Sequence, residues 1–86
     1  MVIVTGNDVK HGKPHPEPYL RSLQRLKIKP KDAVVIENAP FGILSAKQAG
    51  MACLALETSL PRKYLTGADA VFGSIRDLQA NVVFKN

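Results

Sequence analysis

The chain has 86 residues, of which 45% are hydrophobic and 22% charged, and its formal net charge at pH 7 is +5. That length makes residues 1–86 one small domain, able to bury about 60–65% of the surface its unfolded form exposes. No apolar stretch nears the roughly 20 residues of a membrane span, no secretory signal is visible at the N-terminus, and a lone Cys53 excludes an internal disulfide, so a cytoplasmic location is the default expectation.

Seven of the twelve basic residues fall between Lys10 and Lys31. Arg21, Arg25, Lys27, Lys29 and Lys31 alternate with leucines and have few aromatics near them to stack bases, which describes a solvated helix face better than a nucleic-acid surface. Nucleic acid is therefore not an expected partner. A phosphorylated small molecule would use the same positive field.

Val2 to Thr5 is a β-branched run closed by Gly6, Asn7 and Asp8, the pattern of a strand and turn. Val9 to Pro18 is a loop, because Gly12, Pro14, Pro16 and Pro18 forbid continuous helix and hold their predecessors extended. Lys13 is thus presented on a stiff segment. His11 and His15 stand four apart, but Gly12 and Pro14 deny them the helix that would bring them together on a metal.

Glu17 to Leu26 has the spacing of an amphipathic helix, with Tyr19, Leu20, Leu23 and Leu26 on one stripe and Glu17 one turn from Arg21. Pro18 suits its first turn, and Pro30 stops it. Ala33 to Ile36 is an unbroken apolar run, the mark of a strand covered on both faces. It ends at Glu37 and Asn38, where polar side chains sit at the handover to a helix from Pro40 to Ala49 that Gly50 closes as a left-handed cap. In open α/β sheets the carboxyl ends of the strands line the ligand crevice, so this corner is the first place to look for chemistry.

Met51 to Leu56 is a further strand candidate, with the Cys53 thiol expected to be buried and inert. Arg62 to Leu65 suits a turn of helix, and Ala68 to Phe72 a short strand. Ser74 to Leu78 suits a small helix capped by Ser74, with Asp77 in the place of a capping-box acid. The alternation predicts an α/β fold with a parallel sheet and flanking helices.

Gly6 to Lys13 is not a phosphate loop: five residues separate Gly6 from Gly12, and Pro14 stands where a Mg²⁺-binding hydroxyl is needed. Nucleophile-elbow, zincin and paired-cysteine signatures are also absent.

Two segments remain, GKPHP at Gly12–Pro16 and ENAPFGILSAKQAGM at Glu37–Met51. In this order the chain resembles the haloacid dehalogenase-like (HAD) superfamily, and within it the beta-phosphoglucomutase-like phosphatases, which carry G-K-P-x-P and then E-D-S-x-x-G with a trailing A-G-M. The resemblance implies the C-terminal part of a Rossmann-like core, without the first two core strands or the cap. It implies Mg²⁺-dependent phosphoryl transfer through an aspartyl phosphate in the intact family, on a phosphorylated small molecule. By position, Lys13 inherits the catalytic lysine that steadies the phosphoryl group, and Glu37 and Asn38 the acidic pair that helps hold Mg²⁺. Asn38 replaces Asp, offering a carbonyl without charge, and Ala39 replaces the capping Ser.

The family's nucleophile strand carries D-x-D, and no D-x-D occurs in this chain. The expectation is a fragment inactive alone, whose own Mg²⁺ binding is doubtful. The alternative is a degenerate, non-catalytic binding or oligomerisation module. In the family's sheet, the first two strands separate the counterpart of Val2–Thr5 from that of Ala33–Ile36. Without them, either Val2–Thr5 pairs directly beside Ala33–Ile36, or a homo-oligomer covers the exposed sheet edge.

Overall fold

The computed structural model describes residues 2–5 and 16–82. Among these described residues, seven principal elements follow in order: β1 (Val2–Thr5), α1 (Glu17–Leu26), β2 (Ala33–Glu37), α2 (Pro40–Gln48), β3 (Ala52–Leu56), β4 (Ala70–Phe72) and α3 (Ile75–Asn81), with 3₁₀ turns at Pro30–Asp32 and Arg62–Tyr64. The four strands form one parallel sheet in the order β1-β2-β3-β4. The expected α/β, Rossmann-like architecture is the one observed.

Of the two outcomes expected for the first strand, the structure shows direct pairing. Val2 stands beside Ala33, and Thr5 beside Ile36. β1 satisfies its backbone groups on the parallel edge of β2, which leaves it at the margin of the sheet among the described residues.

Alternation along the strands sorts side chains to two faces. Val4, Ala33, Val35, Cys53 and Ala55 share one face with Tyr19 and Leu23 of α1 and Ile43, Ala46 and Ala49 of α2, and these residues form the main core with Met51 and Leu65. Both helices therefore cover the same side. Ala46 and Ala49 are small enough for α2 to lie close on the sheet. α3 adds Leu78, which is buried outside that cluster.

The helical stripe of α1 is narrower than its spacing predicts. Tyr19 and Leu23 are buried, whereas Leu20 and Leu26 are exposed, because a single helix resting on a small sheet buries only its central i, i+4 line. α1 ends at Lys27, which is left-handed at φ 58° and returns its N–H to Gln24, while Ile28 N–H reaches Leu23 O. This is a Schellman-type stop, so the helix is closed before Pro30 is reached. Gly50 takes the expected left-handed conformation after α2, at φ 80°. Ser74 Oγ accepts Asp77 N–H at 3.1 Å, as its place before α3 predicts.

Candidate functional site

All strands being parallel, their carboxyl ends lie along one edge of the sheet, and the chain leaves β2 there through Glu37, Asn38 and Ala39 into α2. Glu37 is still a ladder residue, paired with Ala55. It therefore continues the inward alternation of Ala33 and Val35 and is only 5% exposed. The sequence reading places it just past the strand. The ladder thus runs one residue further than Ile36, and the acid at its end is covered by helix.

Its carboxylate is held on two sides. Tyr19 Oη donates to Glu37 Oε2 at 2.9 Å, and Asn38 N–H donates to Oε1 at 3.0 Å. Gly42, in the first turn of α2, closes on the same group: a Cβ at that position would overlap Oε2 and Cδ. Glycine is required there by proximity.

Asn38 alternates outward. Its Nδ2 lies 3.4 Å from both Thr58 Oγ1 and Ser59 Oγ, at the outer limit of hydrogen bonding, just beyond the end of β3. These two hydroxyls join the corner from the neighbouring strand end, and the sequence reading does not single them out. Glu57 lies beside them, forked to Arg62 through Nε at 3.2 Å and Nη2 at 2.9 Å and accepting Arg62 N–H at 3.0 Å. Its position directly after the Met51–Leu56 apolar run is the signal that could have found it. Nothing in local sequence marks Tyr19 as the partner of Glu37, because the two lie 18 residues apart.

Lys13 lies outside the described residues, as do Asp8, His11 and His15. Among the described residues, no three His, Cys, Asp or Glu side chains gather in a way that could hold a metal ion. Glu37 and Asn38 are sequence neighbours directed to opposite sides of the strand. The described residues alone thus do not compose the octahedral oxygen set that Mg²⁺ demands. Ala39 opens α2 with extended backbone and no side-chain cap, as its replacement of Ser implies.

A family model described as haloacid dehalogenase-like hydrolase matches residues 1–56. The chain belongs to this family. It is 38% identical over 78 residues to the validoxylamine A 7'-phosphate phosphatase of Streptomyces hygroscopicus subsp. limoneus, covering 91% of this chain and 37% of that protein. It is also 38% identical over 77 residues to hexitol phosphatase A of Escherichia coli, covering 90% of this chain and 36% of the relative. Among solved structures, beta-phosphoglucomutase from Clostridium difficile superposes with a TM-score of 0.71 at 30% identity, covering 84% of this chain and 31% of that one. CbbY from Rhodobacter sphaeroides, solved in complex with phosphate, gives 0.71 at 31% identity, with coverages of 85% and 33%. This HAD-like chain thus spans about a third of the length of the relatives it matches.

Proposed function

We propose that this chain contributes the C-terminal part of a HAD-like phosphatase core and that it does not hydrolyse phosphate esters by itself. One observation carries the proposal. The sequence matches phosphatases along nine-tenths of its length yet contains no D-x-D, and this chemistry begins with a carboxylate attacking phosphorus. Lys13 then serves as the cation that offsets charge on a phosphoryl group held elsewhere in the complete site. Mg²⁺ binding belongs to the complete site too, since the described residues supply at most Glu37 and Asn38. The substrate class follows the relatives' names: a phosphorylated polyhydroxylated small molecule.

β1 is an edge strand whose four residues, Val2–Thr5, include no charge or proline to discourage pairing, so a homo-oligomer formed through that edge is expected to show in sedimentation velocity. A cytoplasmic location accords with the free, buried thiol of Cys53.

The test is hydrolysis of p-nitrophenyl phosphate and of hexitol phosphates by the purified 86-residue chain with MgCl₂. The expected result is turnover indistinguishable from the blank. Mg²⁺-dependent turnover that Lys13→Ala abolishes overturns the proposal. Loss of charge at Asn38 and of the hydroxyl at Ala39 also supports a second reading, a non-catalytic module that still binds phosphorylated ligands. Saturable binding of a hexitol phosphate without turnover would favour it.

A further inference from the structure

We infer that the Glu37 carboxylate is a structural acceptor that fastens α1 and α2 to the end of β2, and that it does not ligate a divalent cation in this chain. The acid lies on the inward side of β2, 5% exposed, and Tyr19, which donates to it, is fully buried. One side of the carboxylate is therefore closed by the Tyr19 phenol. A second is closed by the α2 backbone at Gly42, where even a methyl group would overlap Oε2. The other oxygen receives the N–H of Asn38. Mg²⁺ takes ligands at about 2.0–2.1 Å in near-ideal octahedral geometry and keeps several of its waters, so a carboxylate that binds it needs open volume in front of at least one oxygen. Here the volume in front of Oε2 is occupied by phenol and helix, Oε1 already receives a backbone N–H, and the residue as a whole is 5% exposed.

The same contacts supply the positive role. Tyr19 belongs to α1, Glu37 to β2 and Gly42 to α2, so one carboxylate joins three consecutive elements at the corner. A buried acceptor that loses its donor keeps its full desolvation cost, and removing either partner of such a pair is therefore felt strongly. This role is independent of turnover and of whether the rest of a phosphatase core is supplied.

The test uses the full 86-residue chain as wild type, Tyr19→Phe, Glu37→Gln and the double variant, each melted with and without millimolar MgCl₂. A ¹⁵N-labelled sample is also titrated with Mn²⁺ as a paramagnetic probe. Each single variant is expected to lower Tm by at least about 4–8 °C. The double variant should fall by less than the sum of the two singles, because the one oxygen that Glu37→Gln keeps can no longer serve both the Tyr19 hydroxyl and the Asn38 N–H. Mg²⁺ should shift none of the melting temperatures, and Mn²⁺ should not selectively broaden the amides of Glu37 and Asn38.

A wild-type Tm raised by Mg²⁺ and unresponsive in Glu37→Gln overturns the inference, as does Mn²⁺ broadening centred on Glu37 and lost in that variant. Additive losses in the double variant overturn the fastening role. Should Glu37→Gln fail to fold, the melt of Tyr19→Phe and the Mn²⁺ titration of wild type decide, since Tyr19→Phe keeps the ring and removes only the hydroxyl. These readouts need no catalysis, so their outcome is separate from that of the phosphatase assay.

Discussion

Asp69 and Cys53 clasp each other at the start of β4. The Asp69 N–H donates to Cys53 O at 2.8 Å, and Asp69 Oδ2 accepts the Cys53 N–H at 2.7 Å. The β3–β4 ladder runs from Leu54 beside Ala70 to Leu56 beside Phe72, so the carboxylate extends a three-residue strand by one side-chain bond. Lys47 of α2 reaches the same carboxylate at 2.9 Å, tying helix, strand and sheet margin together.

Replacing Asp69 separates these contributions. The Asp69→Ala variant loses the buried N–H acceptor and is expected to cost about 1–3 kcal/mol. Asp69→Asn keeps an oxygen for Cys53 and gives up mainly the ion pair, whose side chains are 38% and 48% exposed, so solvent screening limits its loss to about 0–1 kcal/mol. The Lys47 hydrogen bond, followed by the Cys53 N–H, holds the Asp69 carboxyl below the usual carboxylate range. A depressed value means the stabilisation is complete above the unfolded pKa of about 3.9 and is lost as pH falls through the folded one. Urea titrations at neutral pH and below about pH 4 should therefore show the wild type losing an increment at acid pH that Asp69→Asn does not lose.

Gly42→Ala sets helix propensity against packing. Alanine in a helix interior is favoured over glycine by about 1 kcal/mol, yet the new methyl would overlap the Glu37 carboxylate. The carboxylate is pinned by Tyr19 and cannot step aside without losing that bond. Packing is expected to win, with a net loss of about 1–3 kcal/mol in chemical denaturation. A gain in stability would mean that the corner is looser than these contacts imply.

The Cys53 thiol should be silent in the folded protein. Burial, then the negative charges of Glu37 and Asp69, push it up to about 12 against the opposing influence of Lys47, and the residue is fully buried. The thiolate is the reactive form. Aromatic disulfide reagents at mildly alkaline pH are expected to label it only at the rate of unfolding and to label it fully in denaturant, which absorbance at the released chromophore's wavelength measures directly.

Lys27→Gly is expected to stabilise the chain by about 0.5–1 kcal/mol, since a non-glycine residue held left-handed pays for its Cβ. Lys27 is the one non-glycine residue with positive φ among the described residues. Thermal melts of the two chains, compared at equal concentration, check this.

Periodicity and punctuation placed most of the elements: the bounds of α1, the cap at Gly50 and the bond from Ser74 to Asp77 are local events, settled within a few residues of chain. The parallel sheet followed from the alternation of apolar runs with helices, and the family from two segments in order. Glu37 was legible as a residue at a strand end but not as a buried one, because its cover comes from Tyr19 of α1 and the backbone of α2 at Gly42, which meet it only once both helices have packed on the sheet.

The sequence by itself determined the kind of fold, the family and the absence of a D-x-D nucleophile, all of which rest on residue identity and short-range spacing. Only the tertiary structure decided that β1 pairs with β2, that Tyr19 closes over Glu37, and that Asp69 extends β4. Each of those is a contact between residues 16 or more positions apart, whose pairing depends on which surfaces meet once helices and strands have packed, and no local pattern encodes that meeting.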